Sequence, residues 1–238
     1  MNLYNQPHLK YFPITIIIVF LLLSPVGFLY FTASSQKITP ADIVLVTGFE
    51  PFDIYEINPS ELIALHLHDT LSSNYLIKGH VLPVDYAVAP AMMKSYIQEY
   101  DPVLIIASGL APKATTIRVE TLAYNLRINP EEPYPLLTLK RVNNSGPWIQ
   151  KTNFNVEATV QAIQEKDIAV EQSYFPGFYL CNAILYEMLF YQQTIYETTP
   201  TGFIHLPLLD SQDPNGMSLD TMIQTIHAII EQYAQQGT

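Results

Sequence analysis

Ile43-Val44-Leu45-Val46-Thr47-Gly48 and Val103-Leu104-Ile105-Ile106-Ala107-Ser108-Gly109 are the two stretches whose reading decides the fold. Each is an unbroken apolar run that closes on a small polar residue and a glycine. Continuous rather than alternating apolarity predicts strands covered on both faces, as in a parallel sheet. Between them lies a helix from Asn58 to about Leu71, with Asn58 at N-cap, Pro59 at N1 and Glu61 at N3 in a capping-box arrangement. A strand over Leu76–Val84 and a helix over Ala87–Tyr100 follow. That rhythm predicts a single three-layer α/β/α sandwich around a mostly parallel, mixed sheet.

Outward from this core the pattern continues. Leu126–Pro147 is rich in Pro and Asn and reads as long loops with room for a hairpin. Helices are predicted over Val156–Lys166, Asn182–Tyr191 and Ser218–Gln235, and strands over Ile168–Tyr174 and Gly202–Leu206. There is no internal repeat or low-complexity segment. Residues 36–238 therefore read as one α/β domain.

Upstream, Phe12–Phe31 is apolar and free of charge. About 20 such residues span a bilayer, so residues 1–35 fit a signal anchor. The Ser24-Pro25-Val26-Gly27 break, with Thr32-Ala33-Ser34-Ser35 behind it, equally fits a cleaved signal peptide. Lys10 ahead of the run favours an N-terminus-inside topology. The domain is expected outside the cytoplasm in either case, membrane-anchored if the segment is retained.

The formal charge is −11, from 11 basic and 22 acidic residues, and every acid lies beyond the apolar run. An acidic body without a basic stripe excludes nucleic acid as a partner, because such binding requires phosphate neutralisation. The single cysteine, Cys181, excludes an intramolecular disulfide. Phosphate loops, His-Glu-x-x-His and Gly-x-Ser-x-Gly are absent. His66 and His68 stand two apart on a predicted helix and so do not share a face, which argues against a metal pair.

Three residues carry candidate chemistry. Cys181 stands between the loop Phe175-Pro176-Gly177-Phe178 and the helix from about Asn182. There the helix dipole favours thiolate, and free N–H groups could stabilise an oxyanion. His205 ends a short strand, where parallel sheets present ligand crevices. Glu120 is an acid in an apolar stretch, unusual unless partnered. Together they make a nucleophile, a base and an orienting acid. Taken alone, a lone cysteine also fits a small buried hydrophobe.

Read as strings, the residues resemble a family. Leu45-Val46-Thr47-Gly48-Phe49-Glu50-Pro51-Phe52 with Asn58-Pro59-Ser60 resembles the N-terminal signature of pyroglutamyl peptidase I. Leu82-Pro83-Val84, Glu120 with Ala123 and Asn125, and Gly146-Pro147 are similar to further segments of it. So are Gly177-Phe178-Tyr179-Leu180-Cys181-Asn182 with Tyr186, and Gly202-Phe203-Ile204-His205-Leu206-Pro207. All run in the family's order from about Ile43 onward. The resemblance implies a thiol peptidase that removes N-terminal pyroglutamate from small peptides, without metal or cofactor, and suggests a homo-oligomer. It casts Cys181 as nucleophile, His205 as general base then acid, and Glu120 as orienter. Phe49 and Phe52 would line the lactam pocket, Tyr179 would face them, and Asn58 would hydrogen-bond the ring.

Departures cluster around the expected site. Gly109-Leu110-Ala111-Pro112-Lys113-Ala114 replaces the family's usual Gly-Gln-Ala-Gly-Gly-Arg, and Thr121 stands where Arg is common. Asn129-Pro130-Glu131-Glu132-Pro133 replaces an Asp-Asn-rich stretch, and Asp53-Ile54 replaces Gly-Gly. A non-catalytic tethered binding protein and a thiol hydrolase for another blocked or cyclic amide are the competing readings.

Overall fold

Seven strands build the main sheet of the computed structural model, which describes residues 41–128, 138–195 and 198–236. The apolar run at 12–31 and the stretch Asn129–Pro133 lie outside the described residues. Among those described, no helix is long and apolar enough to cross a membrane.

The first apolar run forms β1 (Ile43–Phe49), the second β4 (Leu104–Leu110), and the two pair in parallel. On the other flank of β1 lies β3 (Tyr75–Leu82), also parallel, edged by the short antiparallel β2 (Leu71–Ser72). Beyond β4 come β9 (Thr201–Leu206), β5 (Ile117–Glu120) and β8 (Val170–Ser173), giving the order β2-β3-β1-β4-β9-β5-β8. Only two pairings are antiparallel, β2 with β3 and β5 with β9, so the sheet is mixed and mostly parallel. A separate ribbon joins β6 (Leu122–Tyr124) to β7 (Ile149–Lys151).

Alternation within each strand divides the core. Val44 and Val46 face α1 (Pro59–Leu67), α3 (Val156–Gln164) and α5 (Leu219–Gln236), in a cluster with Ile63, Ile163 and Ile226. Leu45 and Phe49 face α2 (Val88–Tyr100) and α4 (Leu180–Ile195), with Met93, Ile184 and Phe203. Helix α1 sits close to the sheet because β1 and β3 offer glycines. A Cβ on Gly48 would collide with the Ser60 carbonyl, and one on Gly79 with that of Ala64.

Several boundaries differ from the sequence expectation. Helix α1 ends at Leu67 rather than about Leu71, since His68 takes an extended ψ of 129° and Asp69 a φ of 59°. The chain then turns into the β2–β3 hairpin. Strand β4 continues through Ser108-Gly109 to Leu110, because β9 pairs with it that far. Helix α4 begins at Leu180, so Cys181 lies inside its first turn.

Candidate active site

Strand register assembles the three candidate residues. His205, near the end of β9, is paired with Gly109 on β4 and with Arg118 on β5. Two residues beyond Arg118, β5 ends at Glu120. His205 Nδ1 lies 2.7 Å from Glu120 Oε1, with Glu120 completely buried. Glu120 Oε2 has no hydrogen-bond partner among the described residues, so the imidazole is the carboxylate's sole protein partner there. A buried carboxylate requires such a partner, and an imidazolium compensates its charge.

Cys181 stands near enough to the imidazole to hydrogen-bond it. A Cβ built on Gly109 would lie 3.0 Å from Cys181 Sγ and 3.1 Å from the Phe203 ring, so the glycine makes room for the thiol. The Phe203 ring packs against the imidazole at 4.9 Å. Burial pulls the His205 pKa down. The Cys181 charge and hydrogen bond, with the bond and charge of Glu120, outweigh it and raise the imidazole to about 9. Near neutrality His205 therefore holds its proton in the folded chain. The first-turn N–H groups of α4 have no intrahelical acceptors, and Cys181 lies in that turn, at the positive end of the helix dipole.

The nucleophile turn is clamped from below. Asn182 is fully buried; its Oδ1 accepts from Tyr124 N–H at 2.7 Å, and its Nδ2 donates to the carbonyls of Tyr124 and Leu126, each at 2.8 Å. Asn125 extends the clamp, donating to the carbonyls of Asn143 and Gly146. Gly146 lies against the Tyr186 hydroxyl, which donates to the Pro147 carbonyl at 2.6 Å. Asn182 sits in the string that carries Cys181, but its side-chain role depends on a ribbon of three-residue strands with no periodic signal.

The expected lactam-binding residues are more dispersed. Phe49 is buried in the apolar cluster that includes Leu180, Phe203 and, at its margin, Cys181. Phe52 is half-buried in a small turn, its ring 5.8 Å from that of Tyr55. Asp53 within this turn has a φ of 53°, a conformation that suits Gly and that Asp tolerates. Asn58 is fully buried. Its Oδ1 accepts from Ser60 N–H at 3.1 Å and Oγ at 2.7 Å, and its Nδ2 donates to the Glu50 carbonyl at 3.1 Å. One amide hydrogen of Asn58 is left for other use. Tyr179 is 62% exposed on the solvent side of the nucleophile turn.

Comparison with known proteins extends this geometry. A family model described as pyroglutamyl peptidase matches residues 42–236. The chain is 32% identical to the pyrrolidone-carboxylate peptidase of Thermococcus litoralis over 179 residues, covering 74% of this chain and 81% of the relative. To that of Saccharolobus islandicus it is 34% identical over 199 residues, covering 79% and 93%. The solved structure of the Thermococcus litoralis pyrrolidone carboxyl peptidase superposes with a TM-score of 0.77 at 27% identity, covering 83% of this chain and 96% of that one. A cysteine, a histidine and a buried glutamate meet on this frame at the end of a shared sheet, and the chain belongs to the pyroglutamyl peptidase family.

Proposed function

We propose that the protein is a thiol peptidase that hydrolyses the amide bond after an N-terminal pyroglutamate. The observation that carries the reading is the buried Glu120–His205 contact of 2.7 Å, on an imidazole raised to about 9 beside the Cys181 thiol. The Cys181 thiolate attacks the pyroglutamyl carbonyl carbon, and the oxyanion forms against the first-turn N–H groups of α4. The His205 imidazolium donates its proton to the departing amine, leaving a thioester. The now neutral His205 takes a proton from water, whose hydroxide attacks the thioester carbonyl. Pyroglutamate leaves, and the thiolate and imidazolium are restored. Glu120 holds the imidazole in one orientation throughout.

Pyroglutamate is flat, neutral and blocked, so an apolar wall with a few amide hydrogen bonds suits it. Phe49 and Phe52 form that wall in our reading, with Tyr179 closing over the ring when substrate enters. The remaining amide hydrogen of Asn58 is the donor we assign to the lactam carbonyl. We further assign the apolar run at 12–31 to export or membrane anchoring, on its length and lack of charge. An intermediate-trapping experiment tests the chemistry. Acid-quenched enzyme mixed with a pyroglutamyl ester should carry one pyroglutamyl group on the peptide containing Cys181. Product release without such an adduct on Cys181 would exclude the covalent route.

A further inference from the structure

A cavity opens beside the nucleophile turn, between α2, α4 and the segment after β6. It encloses about 270 Å³ and is lined by Tyr86, Pro90, Lys94, Arg127 and Glu187, among others. Its position follows from backbone hydrogen bonds around Arg127. The preceding residue, Leu126, gives its carbonyl to Asn182 Nδ2 at 2.8 Å, and Asn182 directly follows Cys181. On the other side, Ile128 N–H donates to the Phe178 carbonyl at 2.8 Å, and Phe178 stands three residues before Cys181. Arg127 is thus pinned on both sides to the segment that carries the nucleophile.

Among the described lining residues the charges do not cancel. Glu187 is engaged twice, by Lys94 Nζ at 2.8 Å and by Asn143 Nδ2 at 3.5 Å. Lys94 and Glu187 compensate each other and leave the Arg127 guanidinium in excess. It lies over the Tyr86 ring at 4.8 Å, and no described carboxylate forms an ion pair with it. Tyr86 packs against the same apolar cluster that Cys181 borders. Burial raises its pKa to about 12, against the pull of Arg127 and with smaller contributions from Cys181 and Tyr179. A net cation in a half-enclosed cavity stands out in a chain of formal charge −11. A guanidinium held flat on an aromatic ring still presents its edge N–H groups, which match a carboxylate.

Resting on the pyroglutamyl reading, we infer that this cavity is the subsite for the residue that follows pyroglutamate, and that Arg127 selects a carboxylate there. Two sources supply that group: the side chain of an acidic second residue, or the free C-terminus of a pyroglutamyl dipeptide. Hydrolysis of the pyroglutamyl bond leaves this portion as the departing amine, so the subsite sits on the leaving-group side of Cys181.

The test compares kcat/KM within two pairs of substrates on the purified chain. One pair is pyroglutamyl-glutamate α-amide against pyroglutamyl-glutaminamide; the other is pyroglutamyl-alanine against its amide. The wild type should favour the carboxylate member of at least one pair by about fivefold to tenfold, the range for one charge-assisted contact near a surface. The pair that responds identifies the source. Arg127→Met should bring that ratio close to one, and Arg127→Lys should retain part of it. Glu187→Gln, which frees Lys94, should raise it, and added salt should reduce it. Turnover of all four substrates without discrimination, or discrimination that survives Arg127→Met in a protein of unchanged melting temperature, would overturn the subsite alone. No turnover of any pyroglutamyl substrate would overturn the peptidase reading and this inference with it.

Discussion

His205 and Glu120 meet 2.7 Å apart across two antiparallel strands, with side-chain exposures of only 9% and 0%. Such a contact fixes which imidazole nitrogen faces the thiol. Nδ1 is committed to the carboxylate, so Nε2 is the nitrogen left for the sulfur and the leaving group. Glu120→Gln keeps the shape and removes the charge. We expect kcat to fall by about 10²- to 10⁴-fold, the span seen when the orienting acid of such a triad is neutralised. Circular dichroism should show an intact fold. Activity within threefold of wild type would show that Glu120 is not the orienter.

The raised imidazole sets an alkaline limit. His205 must be protonated to donate to the departing amine, and its pKa is raised to about 9. The rate of the acylation step should therefore hold from neutrality upward and fall as pH rises through about 9. Stability follows the same sign. A group whose folded pKa lies above its unfolded value of about 6.5 stabilises fully below that value. This contribution is lost as pH rises from about 6.5 through 9. Cys181→Ala removes the largest upward influence on His205, so its melting temperature should decline less over that window than that of the wild type. Parallel melting curves for the two proteins would contradict the assignment.

Gly109 is the residue through which β4 admits the thiol. Gly109→Ala would place a methyl 3.0 Å from Cys181 Sγ and 3.1 Å from the Phe203 ring. Overpacking of this kind costs about 1–3 kcal/mol. We expect a lower melting temperature together with slower iodoacetamide labelling of Cys181 and a lower kcat. Labelling at the wild-type rate would show that the strand yields and the thiol does not move.

Asn182 ties the nucleophile turn to the β6–β7 ribbon through three side-chain hydrogen bonds. Asn182→Ala should cost about 2–4 kcal/mol, because the partly buried backbone groups of Tyr124 and Leu126 lose their bonds to the Asn182 amide. Chemical denaturation measures the loss. A loss below about 1 kcal/mol would show that the backbone finds replacements.

The core strands were readable because burial on both faces leaves an unbroken apolar run, as in Val44–Val46 and Leu104–Ala107. Glu120 was readable as an anomaly, an acid where the neighbours are apolar. Pairing was not readable: nothing local in Ile117–Glu120 says that it lies antiparallel to β9, and that placement brings Glu120 to His205. Two- and three-residue strands such as β2 and β6 are shorter than any period can report. Asn182 and Gly109 took their roles from contacts across the fold, between residues far apart in the chain. Arg127 carries no motif, and its place beside the nucleophile comes from hydrogen bonds made by its neighbours.

The central claim is hydrolysis of a pyroglutamyl amide by the Cys181 thiol. Its most direct measurement is fluorophore release from pyroglutamyl-aminomethylcoumarin under reducing conditions, for the wild type beside Cys181→Ala, with both proteins shown folded. The account predicts steady release by the wild type and a loss of at least about 10³-fold in the variant. No release by a folded, thiol-labelled wild type, or equal release by both proteins, would contradict it.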